Sequence, residues 1–115
     1  PSDSRGLPRL DEAGRIETGP VESLDGSLGT RTYDNLFQAP PKGFRFVVEG
    51  EATRMAIAGA EEWRSLQVYA PTGSLFACVE PMFAPTGALS DGRGFLIAQP
   101  GHPLRGSFTI SVFPR

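Results

Sequence analysis

Glu80 stands where a general base for proton transfer could be placed. It closes the apolar run of residues 75–79 and comes immediately before Pro81. Because Pro81 has no backbone N–H to donate to a sheet, we expect the strand to stop there and to leave Glu80 at its rim. A carboxylate that ends a buried strand is partly desolvated, which makes it a better base near neutral pH. The plainer interpretation is a solvated glutamate at a strand end.

Asp34 is the second candidate, because it lies beside Asn35 between the aromatic residues Tyr33 and Phe37. Short polar side chains in such a cluster can hydrogen-bond the hydroxyls of a sugar while an aromatic ring packs on the apolar face of that sugar. Asp and Asn also occur in ordinary turns, and the residue types alone favour a turn here. The sequence therefore leaves Asp34 either as a sugar ligand or as a turn residue.

The other reactive side chains favour structural roles. His102 lies between two prolines, in a segment that reads as a surface turn without a partner to fix the imidazole. Cys78 has apolar neighbours, which is typical of a buried, inert thiol. Trp63 could stack on a sugar, but a tryptophan packed at the edge of the core is the favoured interpretation. No serine stands in the strand-to-helix turn that a hydrolase triad needs.

Length, charge and composition limit the classes of function. The chain has 115 residues, of which 11 are basic and 13 are acidic. It contains no run of apolar residues long enough to span a membrane. This balance predicts neither a nucleic-acid nor a membrane partner. With one cysteine and one histidine, the chain can form neither an intrachain disulfide nor a Cys/His metal cluster. No secretion signal is apparent, so we expect a cytoplasmic protein. The first residue is Pro1, which hints at a fragment or a processed product.

The positions of glycine, proline and apolar residues predict an all-β fold. The 14 glycines and 11 prolines separate short segments in which apolar and polar residues alternate. Six strands are predicted, in residues 44–48, 54–57, 66–70, 75–80, 95–98 and 108–112. The first four form two hairpins, and the whole predicts an antiparallel β-sandwich.

The sequence divides into an N-terminal arm and a main strand region. Residues 1–35 read as a loop-rich arm with a short extended stretch at residues 15–21, whereas residues 36–115 form the main strand region. At most one helical turn is expected, in residues 58–64.

Several segments are similar to the C-terminal part of the aldose 1-epimerase (galactose mutarotase) family, along nearly the whole chain. Residues 66–71 followed by residues 76–81, Phe-Ala-Cys-Val-Glu-Pro, resemble the paired strands that end in the family's catalytic glutamate. Residues 33–37 resemble its aromatic-Asp-x-x-Phe segment. Looser similarity is found in residues 15–19, 85–89, 98–102 and 106–113, where Glu17 replaces a proline and His102 replaces a glutamate.

The resemblance implies a galactose-mutarotase-like supersandwich, of which this chain is the C-terminal portion. It implies that Glu80 is the catalytic base and that Asp34 binds hydroxyls of a monosaccharide or sugar derivative. Acid–base opening of the sugar ring requires neither a metal nor an organic cofactor. The family's two functional histidines lie in its N-terminal part and have no counterpart here, so we expect an N-terminal counterpart, as a chain or a segment, to supply them.

Two rival functions stay open. The first is a non-catalytic carbohydrate-binding β-sandwich module, and the second is a purely structural part of a larger glycan-processing protein.

Overall fold

A computed structural model of the chain describes residue 4 and residues 8–13, 15–19 and 23–115. Within this part, six strands and one short helix follow one another. They are β1 (Tyr33–Gln38), β2 (Phe44–Glu49), β3 (Thr53–Gly59), β4 (Ser65–Ala70), β5 (Cys78–Met82), α1 (Ala88–Asp91) and β6 (Phe108–Pro114).

The first sheet has the order β1-β4-β5, with both pairs of strands antiparallel. Its central strand shows why the sequence alternates. Leu66, Val68 and Ala70 are buried, whereas Gln67 and Tyr69 point to the opposite face. The sheet therefore has one apolar face and one polar face.

The second sheet has the order β2-β3-β6 and is also antiparallel throughout. The β2–β3 hairpin predicted from the sequence is confirmed, and its turn is closed by a 2.9 Å hydrogen bond from the Gly50 N–H to the Thr53 carbonyl. In this sheet Phe44 and Ile57 are the buried residues of the apolar face.

The two apolar faces pack on each other. Leu66 of the first sheet shares a cluster of buried residues with Phe44 and Ile57 of the second. A second cluster joins Val68 and Ala70 to Phe46. Burying apolar area between the sheets is the main force that holds them together. The predicted all-β antiparallel sandwich is confirmed.

Three strand predictions need correction. Residues 95–98 form no strand, and strand β1 was not predicted at all. Strand β5 begins at Cys78 instead of residue 75 and continues through Pro81, so the prediction that Pro81 ends it is wrong. Pro81 lies opposite Leu66 on a strand that, among the described strands, pairs with β4 alone. An edge strand tolerates proline, because its other edge has no strand to which an N–H would donate.

The helix and the arm also differ from expectation. The sequence allows at most one helical turn, in residues 58–64, and that segment forms no helix, since Gly59 still belongs to β3. The short helix is instead α1, at Ala88–Asp91. In the arm, Leu10 and Ile16 form an isolated antiparallel bridge. Residues 20 and 21 of the expected extended stretch lie outside the described residues. The first strand begins at Tyr33, just before the expected boundary at residue 36. In the part of the chain described, no helix is long and apolar enough to cross a membrane.

Trp63 connects the two sheets beyond their strands. Its ring stacks on Phe83 with 4.4 Å between ring centroids and meets Phe108 edge-on at 5.6 Å. Its indole N–H donates a 2.9 Å hydrogen bond to the Ser107 carbonyl. It also packs against the cluster around Leu66. The interpretation of Trp63 as a tryptophan at the edge of the core is confirmed.

Candidate functional site

Both sequence-predicted carboxylates lie on the outer face of the first sheet. Asp34 on β1 is opposite Tyr69 on β4, and Tyr69 is opposite Cys78 on β5. Gln67, two residues before Tyr69, is opposite Glu80. Directly opposite residues of antiparallel strands share a face, and so do residues two apart on one strand. We call this surface the polar face; it comprises Asp34, Gln67, Tyr69, Cys78 and Glu80.

Asp34 belongs to a strand, so the turn favoured by its residue type is wrong. Its neighbour Tyr33 is buried, and Phe37 packs against the same core cluster. These two aromatic residues are an even number of positions apart and both face the core, which turns Asp34 outward. Burial of the aromatic side chains thus overrides the local preference of Asp34 and Asn35 for a turn.

Gln67 is the residue that the sequence analysis missed. Its side-chain Nε2 donates a 2.8 Å hydrogen bond to Oδ1 of Asp34. Reversing the amide would bring its oxygen against a carboxylate oxygen, and neither atom has a proton to donate, so Asp34 fixes the orientation of Gln67. Gln67 Oε1 is then left buried without a hydrogen-bond partner. The alternation of Leu66, Val68 and Ala70 could have revealed this outward position.

Glu80 is solvent-exposed, so the expected partial desolvation of its carboxylate is wrong. The reason is topological: β5 is an edge strand of a three-stranded sheet, and none of its residues is fully buried. Strands β1 and β5 are separated by two strand spacings, which is about 10 Å. Gln67 occupies the strand between the two carboxylates.

An exposed aromatic pair borders the same surface. The rings of Tyr69 and Phe76 have centroids 6.3 Å apart and are tilted by 48°. Tyr69 is 37% exposed and Phe76 is 52% exposed. Aromatic rings that present part of a face to solvent can pack on the C–H groups of a sugar ring while their edges stay hydrated. The polar face therefore combines hydrogen-bonding groups with an apolar platform.

His102 lies in a different part of the molecule. It is exposed in a tight turn in which the His102 N–H donates to the Gln99 carbonyl at 2.9 Å, and the Gln99 N–H donates back at 3.2 Å. The prediction of a surface turn residue is confirmed. Among the described residues, no group of three or more His, Cys, Asp or Glu side chains is arranged to hold a metal ion.

Comparisons with protein-family models, curated proteins and solved structures found no match to this chain. The fold and the polar face therefore define the class of this protein. It is an antiparallel β-sandwich with two carboxylates and an amide on one outer sheet surface.

Proposed function

We propose that the polar face is the sugar-binding surface of an aldose 1-epimerase-like mutarotase, with Glu80 as the catalytic base. One observation carries the proposal. Asp34, Gln67 and Glu80 come from three adjacent strands and lie on one face, with Gln67 hydrogen-bonded to Asp34 and directly opposite Glu80. The similarity of residues 76–81 to the family's catalytic segment points to the same glutamate.

Sugar binding follows from the groups that this face offers. Asp34 and Gln67 Oε1 are hydrogen-bond acceptors, and sugar hydroxyls are donors. Gln67 Oε1 is buried and has no hydrogen-bond partner, so of these two acceptors Asp34 is the one open to a sugar hydroxyl. A sugar hydroxyl carries one proton and can donate it to the exposed carboxylate of Asp34. The Tyr69–Phe76 pair gives the sugar an apolar surface beside them.

The reaction is proton transfer alone. Glu80 removes the proton from the anomeric hydroxyl as a general acid protonates the ring oxygen, so the bond between the ring oxygen and C1 breaks and the open-chain aldehyde forms. Rotation about the C1–C2 bond and reclosure give the other anomer. Asp34 contributes by holding the sugar hydroxyls in place, since positioning lowers the barrier to the transfer. Neither a metal nor an organic cofactor takes part.

The general acid must reach this face from elsewhere. The single histidine of the sequence, His102, lies in the turn after α1 and not on strands β1, β4 or β5. We therefore assign the acid to an N-terminal counterpart that carries the family's histidines. In this proposal the completed site works in the cytoplasm on a monosaccharide or a sugar derivative.

A second function is supported by one specific feature, the exposed Tyr69–Phe76 pair. A carbohydrate-binding module uses such a platform to hold a sugar and needs no base. The two functions differ in the role of Glu80, because only the mutarotase requires its carboxylate to accept a proton.

The first test is a titration of the isotopically labelled chain with glucose and galactose, followed by NMR. We expect shifts at the amides of Gln67, Tyr69 and Glu80, and none at Val47 on the second sheet. Shifts that are confined to residues away from the polar face contradict a sugar site there. The labelled Glu80→Gln variant should still bind the sugar if its carboxylate serves mainly as a base.

A further inference from the structure

Strand β6 has an apolar side that is directed toward the core but is left uncovered. Ile110 is opposite Ile57 and Val112 is opposite Met55, so both side chains share the face on which Ile57 is buried. Even so, Ile110 is 54% exposed and Val112 is 64% exposed, and Phe108 on the same side is 46% exposed. We call these three residues the β6 strip.

The backbone of β6 is equally open. Among the described strands, β6 has one neighbour, β3, and forms the edge of its sheet. Natural edge strands are protected from pairing by charges, by proline or by bulges. No charged residue occurs in residues 106–113, and Pro114 stands only at the end of the strand. An uncharged edge with an apolar strip beside it is a template for another strand.

We propose that a second copy of this chain covers the β6 strip by antiparallel pairing of the two β6 strands about a two-fold axis at Ser111. This register places Ile110 opposite the partner's Val112 and Thr109 opposite the partner's Phe113. It puts apolar side chains of one strip against those of the other. A two-fold contact needs a self-complementary surface, and the strip meets that condition.

The charges that flank the strand disfavour the neighbouring register. If the axis passed through Ile110, Arg105 would lie opposite the partner's Arg115, and directly opposed like charges are destabilising. With the axis at Ser111, Arg115 lies opposite the partner's Ser107, and no like charges oppose each other along the paired strands.

The paired copies form one continuous sheet of six strands in the order β2-β3-β6-β6-β3-β2. The polar face belongs to the other sheet and points away from this layer, so it stays accessible in the dimer. This inference therefore does not depend on the proposed function.

Light scattering with size-exclusion chromatography tests the pairing on the full chain. We expect a mass of twice 12.3 kDa. Ile110→Lys should give the monomer with unchanged circular dichroism, because its ammonium group would enter the paired strip. The control is Val47→Lys, an equally drastic change on β2 at the opposite edge of the same sheet, which should stay dimeric. A monomeric natural chain, a mass above the dimer, or a dimer that survives Ile110→Lys overturns the proposal.

Cross-linking tests the register independently of folding effects at Ile110. In a Cys78→Ser background, Ser111→Cys places two thiols directly opposite each other, with Cα atoms about 5 Å apart, within the range of a disulfide. Thr109→Cys is the matched control, because its two copies are offset by about 13 Å along the strands. Mild oxidation should link the Ser111→Cys chains and leave the Thr109→Cys chains unlinked. The reverse result, or no link in either variant, overturns the register.

Discussion

Gln67 donates a 2.8 Å hydrogen bond from its side-chain amide to the carboxylate of Asp34 on the neighbouring strand. The bond is made on the outer face of the first sheet, where Asp34 is exposed and Gln67 is partly buried. It leaves the amide oxygen of Gln67 buried and without a partner. The exposed Asp34 carboxylate, held by this bond, is thus set to accept further donors, which is the requirement for recognising hydroxyl groups.

Asp34→Asn should weaken sugar binding more than it affects any rate. The amide nearly preserves the shape of the side chain but loses the charge that strengthens its hydrogen bonds, and bonds to a charged group are worth about 1.5–3 kcal/mol. We expect an affinity loss of roughly tenfold or more, measured by the NMR titration. Asp25→Asn, outside the polar face, is the control and should bind like the natural chain. A large loss of rate with unchanged affinity would contradict the assigned role.

The single thiol gives a second readout of the same face. Cys78 is half-buried, lies two residues before Glu80 and is opposite Tyr69. A bound sugar should cover it, so the rate of labelling by a thiol reagent should fall as glucose or galactose fills the site. The Asp34→Asn variant should need more sugar for the same protection. Mannitol, an open-chain polyol without a ring, is the control for non-specific effects of concentration.

Much of the fold could be predicted from alternation alone. In the hairpin of β2 and β3 and in the last strand β6, apolar and polar residues alternate with a period of two. One side of each strand is directed toward the core and the other toward solvent. Strand β1 was missed because its Asp-Asn pair carries a turn preference that only the burial of Tyr33 overrides. The apolar residues in 95–98 predict a strand, yet none of the described strands pairs with them.

The candidate site was only partly accessible to sequence reasoning. Glu80 and Asp34 were singled out by residue type and resemblance, but their shared face depends on the antiparallel register of β1, β4 and β5. That register is a long-range property and has no local signal. The exposure of Glu80 was mispredicted for the same reason, since an apolar run does not tell whether its strand lies inside a sheet or at its edge.

Gly106→Ala should destabilise the sandwich through the aromatic cluster. A Cβ at this position would overlap Cζ of Phe83 and lie 3.2 Å from Cζ2 of Trp63. The Phe83 ring is stacked on Trp63 and cannot move away without losing that contact. Overpacking of this kind costs about 1–3 kcal/mol, which lowers the melting temperature by several degrees.

The control for this substitution is Gly50→Ala, where the nearest atom to the added Cβ is 3.7 Å away. Thermal unfolding followed by circular dichroism should show a melting temperature close to that of the natural chain. Equal melting temperatures for the two variants would show that the Phe83 ring moves aside without a loss of stability.

The last prediction concerns the missing general acid. The chain by itself should not raise the interconversion of glucose anomers above the spontaneous rate, because Glu80 can accept a proton but the polar face has no histidine to donate one. Imidazole added at pH 7 is partly protonated and can stand in for that histidine. With imidazole present, we expect the chain to accelerate the change in optical rotation beyond imidazole alone.

Glu80→Gln should reduce this excess rate by about 10²-fold, because the amide keeps the shape of the side chain but cannot accept the proton. Glu51→Gln makes the same chemical change in the exposed turn between β2 and β3 and should leave the excess intact. Polarimetry with freshly dissolved α-glucose measures each of these conditions. Full activity of the chain without imidazole would refute the need for an outside acid, whereas an excess that survives Glu80→Gln would exclude Glu80 as the base.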